Sequence, residues 1–374
     1  MNSVICNYIK GMTKEQIKQA FAEKFVTVRI EDNLALFSYE RECDFTDPLV
    51  QEARGIIIDL NTNSVVCWPF RKFGNYGESY ADEIDWNSAK VQEKVDGSIM
   101  KVWFYDGKWR VSTNKSIDAY SNNNAYIRTH KSFGQLFDEA AEDAGLDYNK
   151  LDKDYTYIFE LVSPELPIVI RYEKSTLYHL GTRNNKTGEE IVADIGVKKP
   201  HEYHLNSLED CIAAAKMMNE NRDEEHLIGE GYVVVDKNWN RVKIKSPAYL
   251  QVHYCLAYSN PTERKILSIM RMGEAEEVCS YFPPFREKVN AIQAKINRVH
   301  KIICDTVYSY EDKAKSMDRG TFFKNFGKDR WGALAASYYY NGVDKTVEEY
   351  VTTHLDMMAM DKLITLFNEE QNYD

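Results

Sequence analysis

Up to Ser246 the strand-forming residues of this chain come in short runs punctuated by Asn, Asp and Gly, whereas beyond it no strand-turn-strand pattern returns. The period of an apolar pattern decides which element can bury it, two for a half-buried strand and 3.6 for a helix. A chain that changes period once cannot be one sheet or one bundle throughout. VTVRIEDNLALFSY, RGIIIDLNTNSVVCWPF, IMKVWFYDGKWRVST, YTYIFELV, STLYHLGTRNNKTGEEI and GYVVVDKNWNRVKIKS carry β-branched or aromatic runs broken by turn residues, which predicts hairpins. Helical stretches lie among them: KEQIKQAFAEKF behind a Thr13 N-cap, SFGQLFDEAAEDAGL and SLEDCIAAAKMMNE. Residues 1–254 are therefore expected to form an α+β domain with antiparallel sheets. In EKVNAIQAKINRVHKIICDTVYSY, Val289, Ile292, Ile296, Val299, Ile303 and Val307 step by three and four, and EEYVTTHLDMMAMDKLITLF behaves alike. Residues 255–374 are expected to be a separate all-helical C-terminal domain.

Two domains suit 374 residues. With 44% apolar and 28% charged residues the chain has an ordinary globular composition, and 13% aromatic residues exclude wholesale disorder. A net charge of −11 excludes a protein that coats DNA through a broad basic face, so any nucleic acid must meet local patches. The seven cysteines are scattered without a Cys-x-x-Cys pair, which suggests neither a disulfide framework nor a zinc site. The first residues lack an apolar signal core and no stretch approaches a membrane span, so a cytoplasmic protein is expected. Neither a P-loop nor a Gly-x-Ser-x-Gly elbow occurs, and the His residues are isolated, with HEYH at 201–204 reading as a surface loop.

Five stretches place charge where alternation alone does not predict it: Lys94 in KVDGS, Arg54 in EARGIIID, Glu160 in YIFELVSP, Glu230 in GEGYVVV, and Lys243 with Lys245 in RVKIKS. Glu160 sits between Phe159 and Leu161 in a run that reads as buried on both faces, and a buried charge normally has a partner. Lys243 and Lys245 share one face of a strand, where two cations repel unless an anion such as phosphate lies between them. Taken singly, each has a bland reading: Lys94 as a surface residue beside an Asp-Gly turn, the lysine pair as a protected edge strand. Together they suggest a site that binds a nucleoside triphosphate and uses lysine as nucleophile. An amine attacks phosphorus only when unprotonated, and neighbouring cations favour that form while steadying the α-phosphate.

KVDGS at 94–98, FELV at 159–162, EGYVV at 230–234 and KIKS at 243–246 occur in the order and spacing of the covalent nucleotidyltransferases, which form a lysyl-nucleotide. More narrowly the chain resembles the RNA ligase 1 family of T-even phages, through FSY at 37–39, RGIIID at 54–59, RKFGN at 71–75, TRNNKTGEEI at 182–191 and FGKDR at 326–330. The resemblance covers nearly the whole chain. It implies an ATP-grasp-like nucleotidyltransferase domain followed by a helical domain that specifies RNA or tRNA. Lys94 is then the adenylylated nucleophile, Glu160 meets the ribose of AMP, and Glu230 stands near the metal and the lysine. Lys243 and Lys245 serve the α-phosphate, Tyr39, Arg54 and Lys72 contact the ATP phosphates, Tyr249 matches a tyrosine needed for activity, and Arg183 a position near the nucleotide. The implied ligands are ATP, with AMP carried on Lys94, and Mg2+ or Mn2+. The implied activity joins RNA 5'-phosphate and 3'-hydroxyl ends through lysyl-AMP and RNA-adenylate, in tRNA repair on a broken anticodon loop, by a monomer.

Two departures stand out. Where the family has Ser-Lys-Gly-Ser-Ile this chain has TNKSI, which displaces Lys115 by one residue. A family metal carboxylate falls on Glu276 only if MGEAEE aligns without a gap, with Glu274 and Glu277 as rivals. The rival activities are a capping guanylyltransferase or a DNA ligase, both of which carry a β-barrel where this chain has helices, and a non-catalytic RNA-binding homologue, against which the intact set of charged residues speaks. Between Arg286 and Arg330 basic residues outnumber acidic ones, which is either an RNA-holding surface or a solvated helix face. Lys295, Arg298 and Lys301 lie on the less apolar side of their helix and are expected to tolerate replacement.

Overall fold

The structure is a computed structural model, and it describes residues 3–121, 130–218, 229–253 and 261–369. The chain divides into two compact units between Ala257 and Tyr258. The boundary expected at 254 lies outside the described residues.

In the first unit β1 (Val26–Glu31), β2 (Leu34–Tyr39), β3 (Arg54–Asp59) and β4 (Ser64–Cys67) form an antiparallel sheet in that order. The second sheet contains β6 (Ser98–Tyr105), β7 (Lys108–Thr113), β8 (Tyr155–Val162), β9 (Thr176–Asn184) and β10 (Glu190–Ile191), ordered β10-β9-β8-β6-β7. The third is β11-β5-β12-β13, with β5 at Lys90–Glu93, β11 at Glu202–Tyr203, β12 at Gly231–Val235 and β13 at Arg241–Lys245. The expected hairpins are present. Asp32 and Asp106 take left-handed φ values of 51° and 49° in the two-residue loops of β1-β2 and β6-β7, the conformation a tight hairpin needs.

β3 is apolar without alternation because both its faces are covered. Ile56 and Ile58 pack with Phe21, Phe37 and Ile17, while Ile57 joins Leu36, Cys67 and Trp103 on the other side. Helix α1 (Val4–Ile9) and α2 (Lys14–Ala22) close the first cluster, and Thr13 caps α2 through a capping box with Gln16, as its sequence predicts. The short α3 (Pro48–Glu52) leads into β3. β8 alternates in what it faces: Tyr157, Phe159 and Leu161 pack with Leu136 and Phe137 of α4 (Phe133–Ala144), whereas Ile158 joins Phe70 and Phe73. Glu160 shares the Ile158 face, so strand geometry aims its carboxyl away from α4. Helices α5 (Leu208–Met217) and α6 (Pro247–His253) complete the described part of this unit.

The second unit is helical, as expected: α7 (Glu263–Arg271), α8 (Ala275–Tyr281), α9 (Phe285–Ser309), α10 (Glu311–Ser316), α11 (Arg319–Phe326), α12 (Gly332–Tyr340), α13 (Val347–Met357) and α14 (Met360–Glu369). Val289, Ile292, Val299, Ile303 and Val307 of α9 are buried. The tolerance expected of Lys295 does not hold. Its side chain is three-quarters covered, pairs with Glu263 of α7 and lies over the Phe367 ring of α14 at 5.9 Å, so an acidic replacement would set two carboxylates together inside a helix junction. Arg286, Lys315 and Arg330 are likewise taken up by Glu276, Glu311 and Glu369, which reduces the basic excess that 286–330 offers to a ligand. Among the described residues no helix is long and apolar enough to cross a membrane.

Candidate active site

β5 delivers Lys94. Its backbone N–H donates to Gly231 O at 2.8 Å, which continues the β5-β12 pairing by one residue, and its side chain leaves the sheet edge to donate to Glu230 Oε2 at 2.5 Å. The turn that follows is not a surface turn. Asp96 is buried and accepts hydrogen bonds from the Tyr249 hydroxyl at 2.8 Å and from the backbone N–H groups of Val169 and Ile170 at 2.9 and 2.8 Å. A Cβ on Gly97 would come within 2.4 Å of Leu161 O and 3.0 Å of Glu160 Cγ. Glycine is thus required for β8 to approach close enough to place Glu160 beside Lys94.

The cavity at this edge is lined by Lys94, Glu160, Arg54 and Lys243 together with an apolar slot that includes Phe73, Ile99 and Val233. Phe73 carries the Arg54 guanidinium and the Lys243 ammonium over its ring at 5.0 and 4.8 Å. Lys243 is joined to the loop before it, since its N–H donates to Gly74 O at 3.1 Å and its carbonyl accepts from Tyr76 N at 2.8 Å. That places RKFGN directly on β13. Lys72 sits in an aromatic cage of Phe45 at 4.5 Å and Tyr39 and Tyr80 at 5.6 Å.

Electrostatics follow from burial. Loss of water raises the Glu160 carboxyl to about 7; Lys94 and Arg54 oppose that rise, Glu230 and Asp96 add to it. Burial also raises Glu230, against the pull of Lys94 and Lys245. The Lys243 ammonium is pushed well down by burial and then by Lys72, Arg54, Lys245 and Lys94. Cations gathered this densely are stable in water-poor surroundings only with anions between them, and a polyphosphate supplies those.

Arg54, Lys94, Glu160, Glu230, Lys243 and Lys245 therefore converge, Lys72 stands close enough to depress the Lys243 ammonium, and Tyr39 lines the Lys72 cage. Other expected residues have partners of their own. Tyr249 is fully buried and its hydroxyl is directed at Asp96, so it positions the KVDGS turn. Arg183 donates to Gly188 O and Pro69 O and lies over Trp68, a structural use of its guanidinium. Lys115 is exposed and pairs with Glu40 at 3.6 Å. Glu276 belongs to the helical unit, where Arg286 grips it at 2.6 and 2.8 Å and holds its carboxyl below the usual range, and Glu277 is the buried member of that trio.

One buried cation was not anticipated. Lys101 of β6 is fully covered, donates to Gly55 O at 2.8 Å and Thr113 O at 2.7 Å, and burial lowers it to about 8. It clamps β3 next to Arg54 and stands beside Asn114, where the family lysine is displaced. Its signal was the same as that of Glu160, a charge inside an apolar run, IMKVWF. Lys101→Met keeps the volume but strands two carbonyls, so it should cost about 1–3 kcal/mol of unfolding free energy. Denaturant unfolding unchanged from the parent would show the clamp to be idle.

Residues 52–249 match the model of an RNA ligase family. A protein of Autographa californica nuclear polyhedrosis virus, named as a bifunctional polynucleotide kinase/RNA ligase, is 31% identical over 283 residues, covering 69% of this chain and 39% of that protein. The RNA ligase of Rhodothermus phage RM378 is 24% identical over 385 residues, 85% of this chain and 86% of the phage protein. Among solved structures an archaeal ATP-dependent RNA ligase covers 81% of this chain at 14% identity and a TM-score of 0.45. The family match spans just over half of the sequence and includes Lys94, Glu160, Glu230, Lys243 and Lys245, and on that ground the chain belongs to the RNA ligase family.

Proposed function

We propose that this chain is an ATP-dependent RNA ligase of the RNA ligase 1 type, and that Lys94 is its nucleophile. The observation that carries this reading is the amine of Lys94 hydrogen-bonded to the buried Glu230 carboxylate within a ring of Arg54, Lys243 and Lys245. Glu230, whose proton affinity burial has raised, takes the proton as the Lys94 nitrogen attacks the α-phosphorus of ATP. The P–N bond forms, the α–β phosphoanhydride breaks, and pyrophosphate leaves. Lys243 and Lys245 face the charge that gathers on the α-phosphate, and Arg54 and Lys72 the departing phosphates. Glu160 accepts from the ribose, with the base in the slot of Phe73, Ile99 and Val233.

An RNA 5'-phosphate oxygen then attacks the same phosphorus, which breaks the P–N bond, returns a proton to Lys94 and leaves an adenylylated RNA end. Finally an RNA 3'-hydroxyl attacks the 5'-phosphorus, the phosphodiester forms, and AMP departs. Glu160 and Glu230 repel each other in a buried site, which suits a divalent cation that keeps water and phosphate ligands. Among the described residues no group of three His, Cys, Asp or Glu forms a self-sufficient metal cage. We assign Mg2+ or Mn2+ to Glu230 rather than Glu276, which Arg286 already holds; when bound it would neutralise triphosphate charge. We give the helical unit the choice among RNAs, with a broken tRNA anticodon loop as the substrate class, and place the reaction in a reducing cytoplasm, to which the free buried cysteines are suited.

The test follows labelled AMP from ATP onto the chain and then onto a 5'-phosphorylated RNA, with circular or joined RNA as product. Sealing of nicked DNA alone would make it a DNA ligase, transfer of GMP to a diphosphate RNA end a capping enzyme, and absence of any adduct a binding protein.

A further inference from the structure

The cations gathered at the nucleotide cavity come from separate segments: Arg54 opens β3, Lys72 lies in the loop 71–75, and Lys243 lies in β13. Phe73 carries Arg54 and Lys243 over one ring, and after burial itself Lys72 and Arg54 are what depress the Lys243 ammonium most. Like charges this near repel, so before a nucleotide arrives each segment is pushed from the others unless the fold restrains it.

β13 has restraints of its own in its pairing with β12 and in the bonds of Lys243 to Gly74 and Tyr76. The other two cations depend on Arg71. Its carbonyl accepts from Arg54 Nη1 at 3.5 Å, and its Nη1 donates to Gln51 Oε1 at 3.2 Å. Gln51 in turn accepts the Lys72 N–H at its carbonyl, at 2.7 Å, and its side-chain amide donates at 2.8 Å to the carbonyl of Phe45, a wall of the Lys72 cage.

Asp82 ties Arg71 to β13. Its Oδ1 accepts from Arg71 Nη2 at 2.7 Å, and its Oδ2 accepts the backbone N–H of Arg241 at 2.9 Å, two residues before Lys243 on the same strand. The Arg241 guanidinium is engaged elsewhere, by Glu190 at 3.1 and 2.6 Å and over the Phe70 ring at 4.1 Å. Between Arg71 and Asp82 the chain folds back on itself. Glu78 accepts from the backbone N–H and the side-chain amide of Asn75 at 2.5 and 2.9 Å, and a Cβ on Gly74 would come within 2.7 Å of Ala81 Cα. The Asp82 and Arg71 side chains are 13% and 38% exposed, and an ion pair so open to water adds little to stability. Its consequence is geometric.

We propose that Asp82 is a positioning residue of the ATP site: through Arg71 it holds Lys72 and Arg54 at their spacing from Lys243, so that the phosphate cradle is assembled before the nucleotide arrives. The inference rests on the RNA ligase reading above. A protein whose binding-competent form is populated only part of the time loses affinity in proportion, so a cradle assembled about a tenth of the time binds about tenfold more weakly. Saturating nucleotide draws the population back, and the chemical step then runs at its former rate.

The experiment compares the parent with Asp82→Asn and Asp82→Ala. It measures equilibrium binding of AMP and of α,β-methylene-ATP, whose α–β bridge Lys94 cannot break, then self-adenylylation against ATP concentration, with a thermal melt beside both. Asp82→Ala should bind the triphosphate analogue about tenfold more weakly and AMP as the parent does, because AMP has no β- or γ-phosphate for Arg54 and Lys72. The ATP concentration for half-maximal adenylylation should rise by the same factor, and the maximal rate should stay at the parent value. Asp82→Asn, which can still accept the Arg241 N–H, should fall between parent and Asp82→Ala. Parent affinity for the analogue in Asp82→Ala overturns the proposal, whatever the melting temperature. So does equal weakening of AMP and analogue, or a lower maximal rate at unchanged half-saturation. A parent that binds the analogue and forms no adduct overturns the ligase reading instead, and the ratio of parent to variant affinity still decides the role of Asp82.

Discussion

Lys94→Ala should take up no AMP from ATP, a loss of at least about a thousandfold in adduct formation, because as the proposed nucleophile the residue supplies the atom that bonds to phosphorus. The same variant should still seal an RNA supplied already adenylylated, since the last step breaks a P–O bond and never involves a lysyl adduct. That split separates a nucleophile from a structural lysine. Truncation also leaves Glu230 buried without its cation, so some stability will be lost, and a thermal melt beside the activity measures how much. Acid-labile, alkali-stable label on the parent identifies the P–N bond. An adduct that persists on the Lys94→Ala protein, for instance at Lys243, would end the assignment.

What the sequence made legible was mostly the work of single strands. A carboxylate inside YTYIFELV and two lysines two apart in RVKIKS can each be aimed by strand alternation alone, and both meet Lys94. Residues whose role depends on a neighbour distant in sequence were harder to read. Tyr249 lies 153 positions from Asp96, and nothing in PAYLQVH distinguishes a hydroxyl directed at ATP from one directed at a turn. Lys295 shows the converse limit. Helical periodicity put it on the polar side of α9 without knowing that α7 and α14 would cover that side. Arg241 went unread as well: it shares the Lys243 face but forms a buried bidentate pair with Glu190 at 3.1 and 2.6 Å, an anchor between two sheets that no single strand reveals.

Glu160→Gln should make the protein more stable at pH 8 while impairing its chemistry. Burial raises the Glu160 carboxyl from an ordinary 4.5 to about 7. Between those values the folded chain keeps a proton that the unfolded chain has lost, so the folded state is penalised progressively as pH climbs through that window. The penalty is absent below about 4.5, complete above about 7, and on the order of 3 kcal/mol at most. Glutamine cannot ionise and escapes it. Parent and variant should therefore unfold at nearly the same denaturant concentration at pH 4.5, and the variant should lead by about 2–3 kcal/mol at pH 8. Self-adenylylation of the variant should drop by about 10–100-fold, because the acceptor proposed for the ribose is weakened. In the parent an acid limb near pH 7 should report the same carboxyl, and the variant should lack it. A stability difference that is constant across pH, or a parent that is the more stable protein at pH 8, would mean that Glu160 is satisfied by the folded chain itself and is not held in readiness for a nucleotide.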